Sequence, residues 1–180
     1  MEFSIRKATL DDAPALEILI AASVRRLQTA DYTAEQREAA IGEVFGVDTR
    51  LILDGTYFVV EAAEQIVACG GWSRRKTLFG SDRVRGKDDA WLDPEVDAAR
   101  IRAFFVHPAW ARRGIGTRIL RTCEDAALAM GFRRLELAST LTGIPLYRAH
   151  GYLDGEPIEV PLRTGGSLPV LRMTKVLATG

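Results

Sequence analysis

The chain has 180 residues, a length that fits one domain with a substantial hydrophobic core. Apolar residues make up 47% of it and charged residues 27%, and 24 basic and 24 acidic side chains leave no net charge. This composition is typical of a globular protein and argues against a nucleic-acid-binding protein, which needs a basic excess on one face.

The N-terminal residues predict one strand followed by two helices. Residues 3–8 alternate apolar and polar side chains, as a half-buried strand does. Residues 13–27 carry apolar side chains at helical spacing. Thr33 and Gln36 have the spacing of a capping box, in which each side chain accepts a hydrogen bond from the other residue's backbone N–H. We therefore predict a second helix that begins after Thr33 and runs to about Phe45.

A β-hairpin and a charged segment are predicted next. The β-rich residues 56–61 and 66–72 flank a short polar turn, which is typical of a hairpin. Residues 74–98 hold six basic and six acidic side chains and show little periodicity. Such a long connection in a compact domain is usually functional or disordered. We expect a solvated insertion loop, partly ordered by Leu78, Phe79 and Trp91.

The second half of the chain predicts alternating strands and helices. The predicted strands are 100–106, 134–139, 152–160 and 168–176, and the predicted helices are 115–130 and 143–150. This order of elements predicts a single α/β (α+β) domain over residues 1–180, with helices on both faces of a mixed sheet.

No segment has the features of an export signal or a membrane span. The first residues lack the apolar region of a signal peptide, and no apolar run reaches the roughly 18 residues that cross a bilayer. We therefore expect a cytoplasmic protein that does not insert into a membrane. Cys69 and Cys123 lie in apolar segments without metal-ligand spacing, so we expect free thiols and no metal.

The sequence Ala111-Arg-Arg-Gly-Ile-Gly-Thr117 lies between a predicted strand and a predicted helix. The first four amides of a helix have no partner inside it, and the helix dipole adds partial positive charge there. Gly114 and Gly116 let a ligand approach the backbone, and Arg112 and Arg113 add charge at the rim. The segment is therefore suited to bind a pyrophosphate group.

Two common nucleotide-binding motifs match this segment poorly. A P-loop ends in Gly-Lys-Ser/Thr, which the chain lacks. The dinucleotide-binding motif of oxidoreductases needs a third glycine at the position of Ile119, and it also needs an acidic ribose ligand. Both alternatives are weakened.

Two segments in a fixed order resemble the GNAT superfamily of N-acetyltransferases. Residues 104–117, Phe-Phe-Val-His-Pro-Ala-Trp-Ala-Arg-Arg-Gly-Ile-Gly-Thr, resemble its acetyl-CoA motif. Ala111 departs from that motif's Arg or Gln position, and we expect Arg112 to supply the charge instead. Residues 139–152 contain the downstream Tyr-x-x-x-Gly-aromatic pattern of the superfamily. The order of elements resembles the superfamily across nearly the whole chain.

The resemblance implies a mixed, mostly antiparallel sheet of six or seven strands flanked by helices on both faces. It implies acetyl-CoA as co-substrate, with its pantetheine arm beside the fourth strand and its diphosphate on the amides of 112–117. The residues implied to bind this cofactor are Phe104, Phe105, Val106, Arg112, Arg113, Gly114, Ile115, Gly116, Thr117, Thr140 and Tyr147.

The resemblance also implies catalytic residues. Tyr147 is the implied general acid for the departing CoA thiolate, although it is alternatively a core aromatic that anchors the cofactor. Some relatives carry a glutamate base early in the fourth strand, where this chain has Arg100, which cannot accept a proton. Glu136 in the fifth strand is a candidate base whose register differs by one residue from the relatives' position. Glu61 is another candidate, and a base acting through ordered water is a third option.

The resemblance therefore implies an N-acetyltransferase that moves the acetyl group of acetyl-CoA to a primary amine by direct attack in a ternary complex. The acceptor is a small molecule, an amino acid or a peptide. A non-catalytic acyl-CoA-binding sensor and a protein acetyltransferase stay open as alternatives. Asp31, Tyr32 and residues 74–98 are candidate acceptor contacts, and a homodimer is a further expectation.

Overall fold

A mixed sheet of seven strands forms the centre of this computed structural model, which describes residues 2–178. The strands are β1 Ser4–Lys7, β2 Tyr57–Ala62, β3 Gln65–Ser73, β4 Ala99–Val106, β5 Arg134–Thr140, β6 Leu153–Pro161 and β7 Ser167–Val176. The α-helices of the described residues are α1 Ala13–Leu27, α2 Ala34–Ala40, α3 Thr49–Leu53, α4 Ile115–Ala129 and α5 Ile144–Ala149.

The sheet has the order β1-β2-β3-β4-β5-β7-β6. Strands β4 and β5 run parallel, and the other neighbouring pairs among the described strands are antiparallel. Side chains alternate between the two faces of a strand, so the core has two parts. The part with Ile119 of α4 and Tyr147 of α5 lies on one face, and the part with Ile20 of α1 and Leu51 of α3 lies on the other. This confirms the predicted α/β (α+β) fold, a mostly antiparallel mixed sheet with helices on both faces.

The second helix is shorter than the sequence predicted. Its capping box is confirmed, because Thr33 Oγ1 accepts from the Gln36 N–H at 3.1 Å and Gln36 Oε1 accepts from the Thr33 N–H at 2.9 Å. The helix ends well before Phe45, because the chain turns at Gly42, whose φ of 86° is left-handed. Phe45 is thereby free to pack into the core below the sheet.

Residues 74–98, between β3 and β4, are partly buried. Trp91 is half exposed, and the guanidinium groups of Arg74 and Arg75 stack on its ring at 4.3 and 3.8 Å. The next residue, Leu92, is buried in the core. Leu92 therefore gives the segment a buried anchor, while Trp91 beside it stays half exposed. An insertion loop over residues 74–98 stays a prediction.

No helix within residues 2–178 has the length and apolar character needed to span a membrane. Within the same residues, no three His, Cys, Asp or Glu side chains lie together as a metal site would require. Cys69 and Cys123 are buried free thiols, as the sequence predicted.

Candidate active site

Strands β4 and β5 separate after a short paired stretch. Ala99 pairs with Leu135 and Arg100 with Glu136, and the pairing stops there although both strands continue. Beyond this point the facing edges of the two strands have no sheet partner for their backbone N–H and C=O groups. A cavity of about 200 Å³ lies in the gap. The gap therefore offers backbone hydrogen bonds to an extended ligand.

A bulge in β4 borders this cavity. The pairing with β3 slips by one residue at Ala103 and Phe104. Ala103 has a left-handed φ of 56°, and its carbonyl accepts a hydrogen bond from the Tyr57 hydroxyl at 2.9 Å. A Cβ atom at Gly70 would lie 2.8 Å from the Phe104 ring, so the glycine leaves room for that ring. The bulge sets the direction in which the backbone of residues 104–106 runs along the cavity.

The cavity reaches both faces of the sheet through the gap. From the face of α4 and α5 it is lined by Gly116, Leu146 and Tyr147. From the opposite face its lining includes Ser23, Leu27, Gln28, Val44, Phe45, Leu78 and Phe79. Residues 74–98 thus contribute to the cavity wall, and two ligands entering from opposite faces would meet between β4 and β5.

Helix α4 begins beside the cavity without a side-chain cap. Gly114 is the N-cap residue and has a left-handed φ of 78°, and Arg112 before it has a φ of 64°. The Arg118 N–H donates to the Gly114 carbonyl at 3.1 Å, so the amides of the turn before Arg118 have no partner inside the helix. Gly116 lies in that turn and lines the cavity, where a Cβ atom would come 3.3 Å from Leu146. Open amides and the helix dipole therefore place partial positive charge next to the cavity.

The predicted cofactor residues lie together at this end of the cavity. Those that line it are Phe104, Phe105, Val106, Gly116, Thr140 and Tyr147. Those that form the adjoining loop and the start of α4 are Arg112, Arg113, Gly114, Ile115 and Thr117. The Ile115 side chain is buried in the core, so only its backbone amide can face a ligand.

Tyr147 is a buried residue of the cavity lining that carries a hydroxyl group. Its ring packs edge-on against Phe104 and Tyr152, with ring centroids 6.2 and 5.5 Å apart. Its hydroxyl group forms no hydrogen bond with any of the described residues. Burial raises the pKa of Tyr147 above the ordinary value of a phenol, so the hydroxyl stays protonated at neutral pH. Tyr147 therefore adds a protonated hydroxyl without a partner among the described residues to the cavity lining.

Glu136 lies at the closed end of the strand pair, below the gap. It faces Arg100 across the last paired position of β4 and β5. Its carboxylate accepts from Arg172 at 2.8 Å and lies 3.3 Å from Arg100. Glu136 is not part of the cavity lining, and Glu61, the other candidate, is bonded to Arg6 at 2.7 Å. The structure therefore brings neither carboxylate to the site.

Two cavity residues were missed in the sequence. Arg102 in β4 is buried and donates to Asp48 at 3.0 Å. An arginine inside an apolar strand is a signal of a buried ion pair, although its partner cannot be read from the strand. Gln28, at the end of α1, is 5% exposed, and its Oε1 atom is buried without a hydrogen-bond partner in the described structure. A polar residue after a helix is ordinarily exposed, so no local signal identifies Gln28.

The profile of the Acetyltransferase (GNAT) family matches residues 21–152, more than half of the chain. The chain belongs to the GNAT acetyltransferase family. No curated protein sequence matches this GNAT chain significantly.

Solved GNAT structures share the fold over nearly the full length. A GCN5-related N-acetyltransferase from Rhodopseudomonas palustris has a TM-score of 0.73 and 21% identity, covering 98% of this chain and 97% of its own. PaiA N-acetyltransferase from Thermoplasma acidophilum, in complex with coenzyme A, has a TM-score of 0.66 and 14% identity, covering 98% and 99%. A ribosomal-protein-alanine N-acetyltransferase from Brucella melitensis has a TM-score of 0.62 and 20% identity, covering 97% and 99%. The TM-scores show a common fold, and at these low identities the similarity shows the fold alone.

Proposed function

We propose that this GNAT protein transfers the acetyl group of acetyl-CoA to a primary amine, with both substrates in the cavity at once. The observation that carries the proposal is the position of Tyr147. Its buried, protonated and unpartnered hydroxyl lines the same cavity as the open β4 edge at Phe104 and the start of α4 at Gly116. A phosphate-binding end, an extended slot and a proton donor are the features that acyl transfer from a CoA thioester requires.

The chain's residues fit acetyl-CoA. The open amides at the start of α4, together with Arg112 and Arg113, suit its diphosphate. The unpaired backbone edge of residues 104–106 suits the amide groups of the pantetheine arm, as a sheet partner would. Thr140, at the end of β5 on the other side of the gap, also lines the cavity. The complex of the PaiA relative with coenzyme A supports this assignment.

Tyr147 supplies the proton that acetyl transfer needs. When bound, acetyl-CoA offers an activated acetyl group; the amine nitrogen attacks the thioester carbonyl carbon, and the carbon–sulfur bond breaks. The sulfur leaves as a thiolate, to which the Tyr147 hydroxyl donates its proton. The new amide nitrogen loses its surplus proton, which returns through water to the Tyr147 phenolate, so the tyrosine is restored. A positioned general acid contributes about 10²–10⁴-fold to the rate. A backbone N–H on the open edge of β4 would donate to the carbonyl oxygen as negative charge develops there.

The amine must lose its proton before it attacks. An alkyl ammonium has a pKa of about 10, so the neutral form is a minority at neutral pH. Among the described residues, no Asp or Glu lines the cavity. We propose that the proton leaves through ordered water, and Glu136 stays a predicted base that its two arginine contacts disfavour. Turnover is accordingly expected to rise with pH.

The acceptor is a primary amine of a small molecule, amino acid or peptide. The name of the Brucella relative gives an alanine of a ribosomal protein as the acceptor of that enzyme. The reaction that we propose for this chain is likewise the acetylation of an amine. A homodimer, a cytoplasmic location and a single domain over residues 1–180 stay predictions.

Release of free thiol from acetyl-CoA, with and without amines, tests the proposal. We expect acceptor-dependent release, with an N-acetylated amine detected by mass spectrometry. Binding of acetyl-CoA by calorimetry without release for any amine would favour a non-catalytic acyl-CoA sensor. Absence of binding would overturn the assignment of the cavity to acetyl-CoA.

A further inference from the structure

The carboxamide of Gln28 lines the cavity on the face opposite α4 and Tyr147. The residue is 5% exposed, and its Oε1 atom is buried with no hydrogen-bond partner in the described part of the chain. Its Nε2 group likewise donates no hydrogen bond to the described residues. A buried polar group without a partner destabilises the folded protein, so an unpaired amide in a cavity wall points to a ligand that pairs with it.

The backbone around Gln28 is fixed, so its side chain has a defined place. The Gln28 carbonyl accepts from the Tyr32 N–H at 3.1 Å, which holds the turn after α1. The Tyr32 hydroxyl donates to the Pro169 carbonyl at 2.6 Å and accepts from the Leu141 N–H at 2.9 Å. The turn is thereby tied to β7 and to the loop after β5. These hydrogen bonds therefore hold the backbone at Gln28 in a fixed position beside the cavity.

The other polar groups of the cavity are neutral or already paired. Among the described residues the lining contains no carboxylate, and its neutral polar residues besides Tyr147 are Ser23, Gln28, Ser139, Thr140 and Thr142. Its cation, Arg102, donates to Asp48 at 3.0 Å and to the Gly80 carbonyl at 2.8 Å. A second ammonium on the acceptor would find no anion, and a carboxylate would compete with Asp48 for Arg102.

The rest of the wall beside Gln28 is apolar. It is formed by Leu27, Val44, Phe45, Leu78, Phe79, Val160 and Val170. Apolar walls favour an apolar acceptor body because they gain free energy when it displaces water. The apolar walls and the unpaired amide are together suited to bind a small molecule with one hydrogen-bonding group besides its reacting amine.

We propose that Gln28 selects the acceptor, and that the acceptor is an amine with a compact apolar body and a neutral amide or hydroxyl group that hydrogen-bonds the Gln28 carboxamide. This inference rests on the proposed acetyl transfer and narrows its substrate class. The cavity lining disfavours free amino acids, because their carboxylate would find no unpaired cation. It also disfavours polyamines, because their second ammonium would find no anion.

Two matched sets of probes test the inference: L-leucinamide, L-leucine and isoamylamine, and L-phenylalaninamide, L-phenylalanine and phenethylamine. Initial rates of thiol release give kcat/KM for wild type, for Gln28→Leu and for a control, Gln65→Leu, whose glutamine is exposed on the β2–β3 hairpin. We expect Gln28→Leu to lower kcat/KM for the better amide about tenfold and to leave its matched plain amine unchanged. Each probe is compared with itself across variants, so differences in amine pKa cancel.

Stability measurements separate recognition from a structural role. Because the substitution removes an unpartnered buried amide, the melting temperature of Gln28→Leu should equal or exceed that of wild type. If Gln28→Leu does not fold, Gln28→Met is used for the same comparison. The KM for acetyl-CoA should not change.

Three results would overturn the inference while leaving acetyl transfer intact: the same fold-loss for amide and plain amine, a preference of wild type for the carboxylates, or turnover of other amines but neither amide. A lower melting temperature with an unchanged amide preference would likewise assign Gln28 a structural role. Failure of acetyl-CoA to bind is the separate result that removes the proposed function itself.

Discussion

The hydroxyl groups of Tyr147 and Tyr152 have opposite surroundings although their rings are in contact. The Tyr152 hydroxyl donates to the Glu124 carboxylate at 3.0 Å, and Lys175 donates to the same carboxylate at 2.9 Å. The Tyr147 hydroxyl has no such partner among the described residues and lines the cavity. One tyrosine therefore has a structural hydrogen bond, and its neighbour has a hydroxyl available for chemistry.

We expect Tyr147→Phe to lower kcat about 10²-fold with little change in the KM for acetyl-CoA, because the ring stays and only the proton donor is lost. The matched variant Tyr152→Phe should keep kcat near that of wild type and lower the free energy of unfolding by about 1 kcal/mol. Steady-state thiol release and urea unfolding measure the two effects. An equal loss of kcat in both variants would mean that the acid role of Tyr147 is wrong.

Helix α4 has a glycine in the left-handed conformation at each end, and the one at its start also lies in the proposed phosphate site. Gly114 has a φ of 78° at the N-terminal end, and Gly131 has a φ of 93° just after the C-terminal end. A Cβ atom at Gly114 would meet no atom within 4 Å, and one at Gly131 would have ordinary contact with Pro94 at 3.5 Å. Substitution at either position is therefore opposed mainly by backbone strain.

Gly114→Ala and Gly131→Ala should each lower the free energy of unfolding by about 1–2 kcal/mol, the strain of a left-handed alanine. Gly114→Ala should in addition raise the KM for acetyl-CoA several-fold, because the turn that presents the open amides would shift. Chemical denaturation and steady-state kinetics of the pair give both quantities. If Gly131→Ala raises that KM equally, the effect belongs to the stability of the helix and not to the phosphate site.

Elements with a complete local signal could be predicted from the sequence. The capping box of Thr33 and Gln36 is satisfied within four residues, and it is confirmed. Helix α3 was not predicted; it begins where Asp48 accepts from the Arg50 N–H at 3.0 Å, and it buries Leu51. A helix of five residues depends on tertiary packing, which no local pattern reveals.

At the scale of the whole molecule, one buried cluster ties three distant parts of the chain together. Asp48 at the start of α3 accepts from Arg102 of β4 at 3.0 Å and from Lys87 at 3.0 Å. Burial alone would raise the pKa of Asp48, but the two cations together lower it below its ordinary value. The cluster therefore holds residues 74–98 against the sheet beside the cavity.

Asp48→Asn should lower the free energy of unfolding by about 3 kcal/mol at pH 7, because Arg102 is left buried without its anion. A carboxyl whose pKa is lowered by folding stabilises the protein above its unfolded pKa of about 4, and this contribution is lost as the pH falls through the folded pKa. The gap between wild type and variant should therefore narrow below pH 4. Urea unfolding of both proteins at pH 7 and below pH 4 measures this difference in the free energy of unfolding. A gap that stays constant with pH would show that the charge of Asp48 is not the cause.

The candidate site could be predicted only where its requirement is local. The helix start with Gly114 and Gly116 is contiguous in the chain, and the family pattern around Tyr147 is short, so both were found from the sequence. Gln28 was not found, because the cavity that it lines is built from α1, residues 74–98, β4 and β7. The resemblance to relatives with a glutamate in the fifth strand made Glu136 a candidate base. The arginines that contact its carboxylate lie on other strands and cannot be seen from β5 alone.

The initial rate of thiol release by wild type, measured over a grid of acetyl-CoA and amine concentrations, tests the proposed reaction most directly. Direct attack in a cavity that holds both substrates predicts rates that depend on both concentrations, intersecting reciprocal plots and one N-acetylated amine per thiol released. Parallel reciprocal plots with an acetylated enzyme, or thiol release independent of the amine, would overturn it.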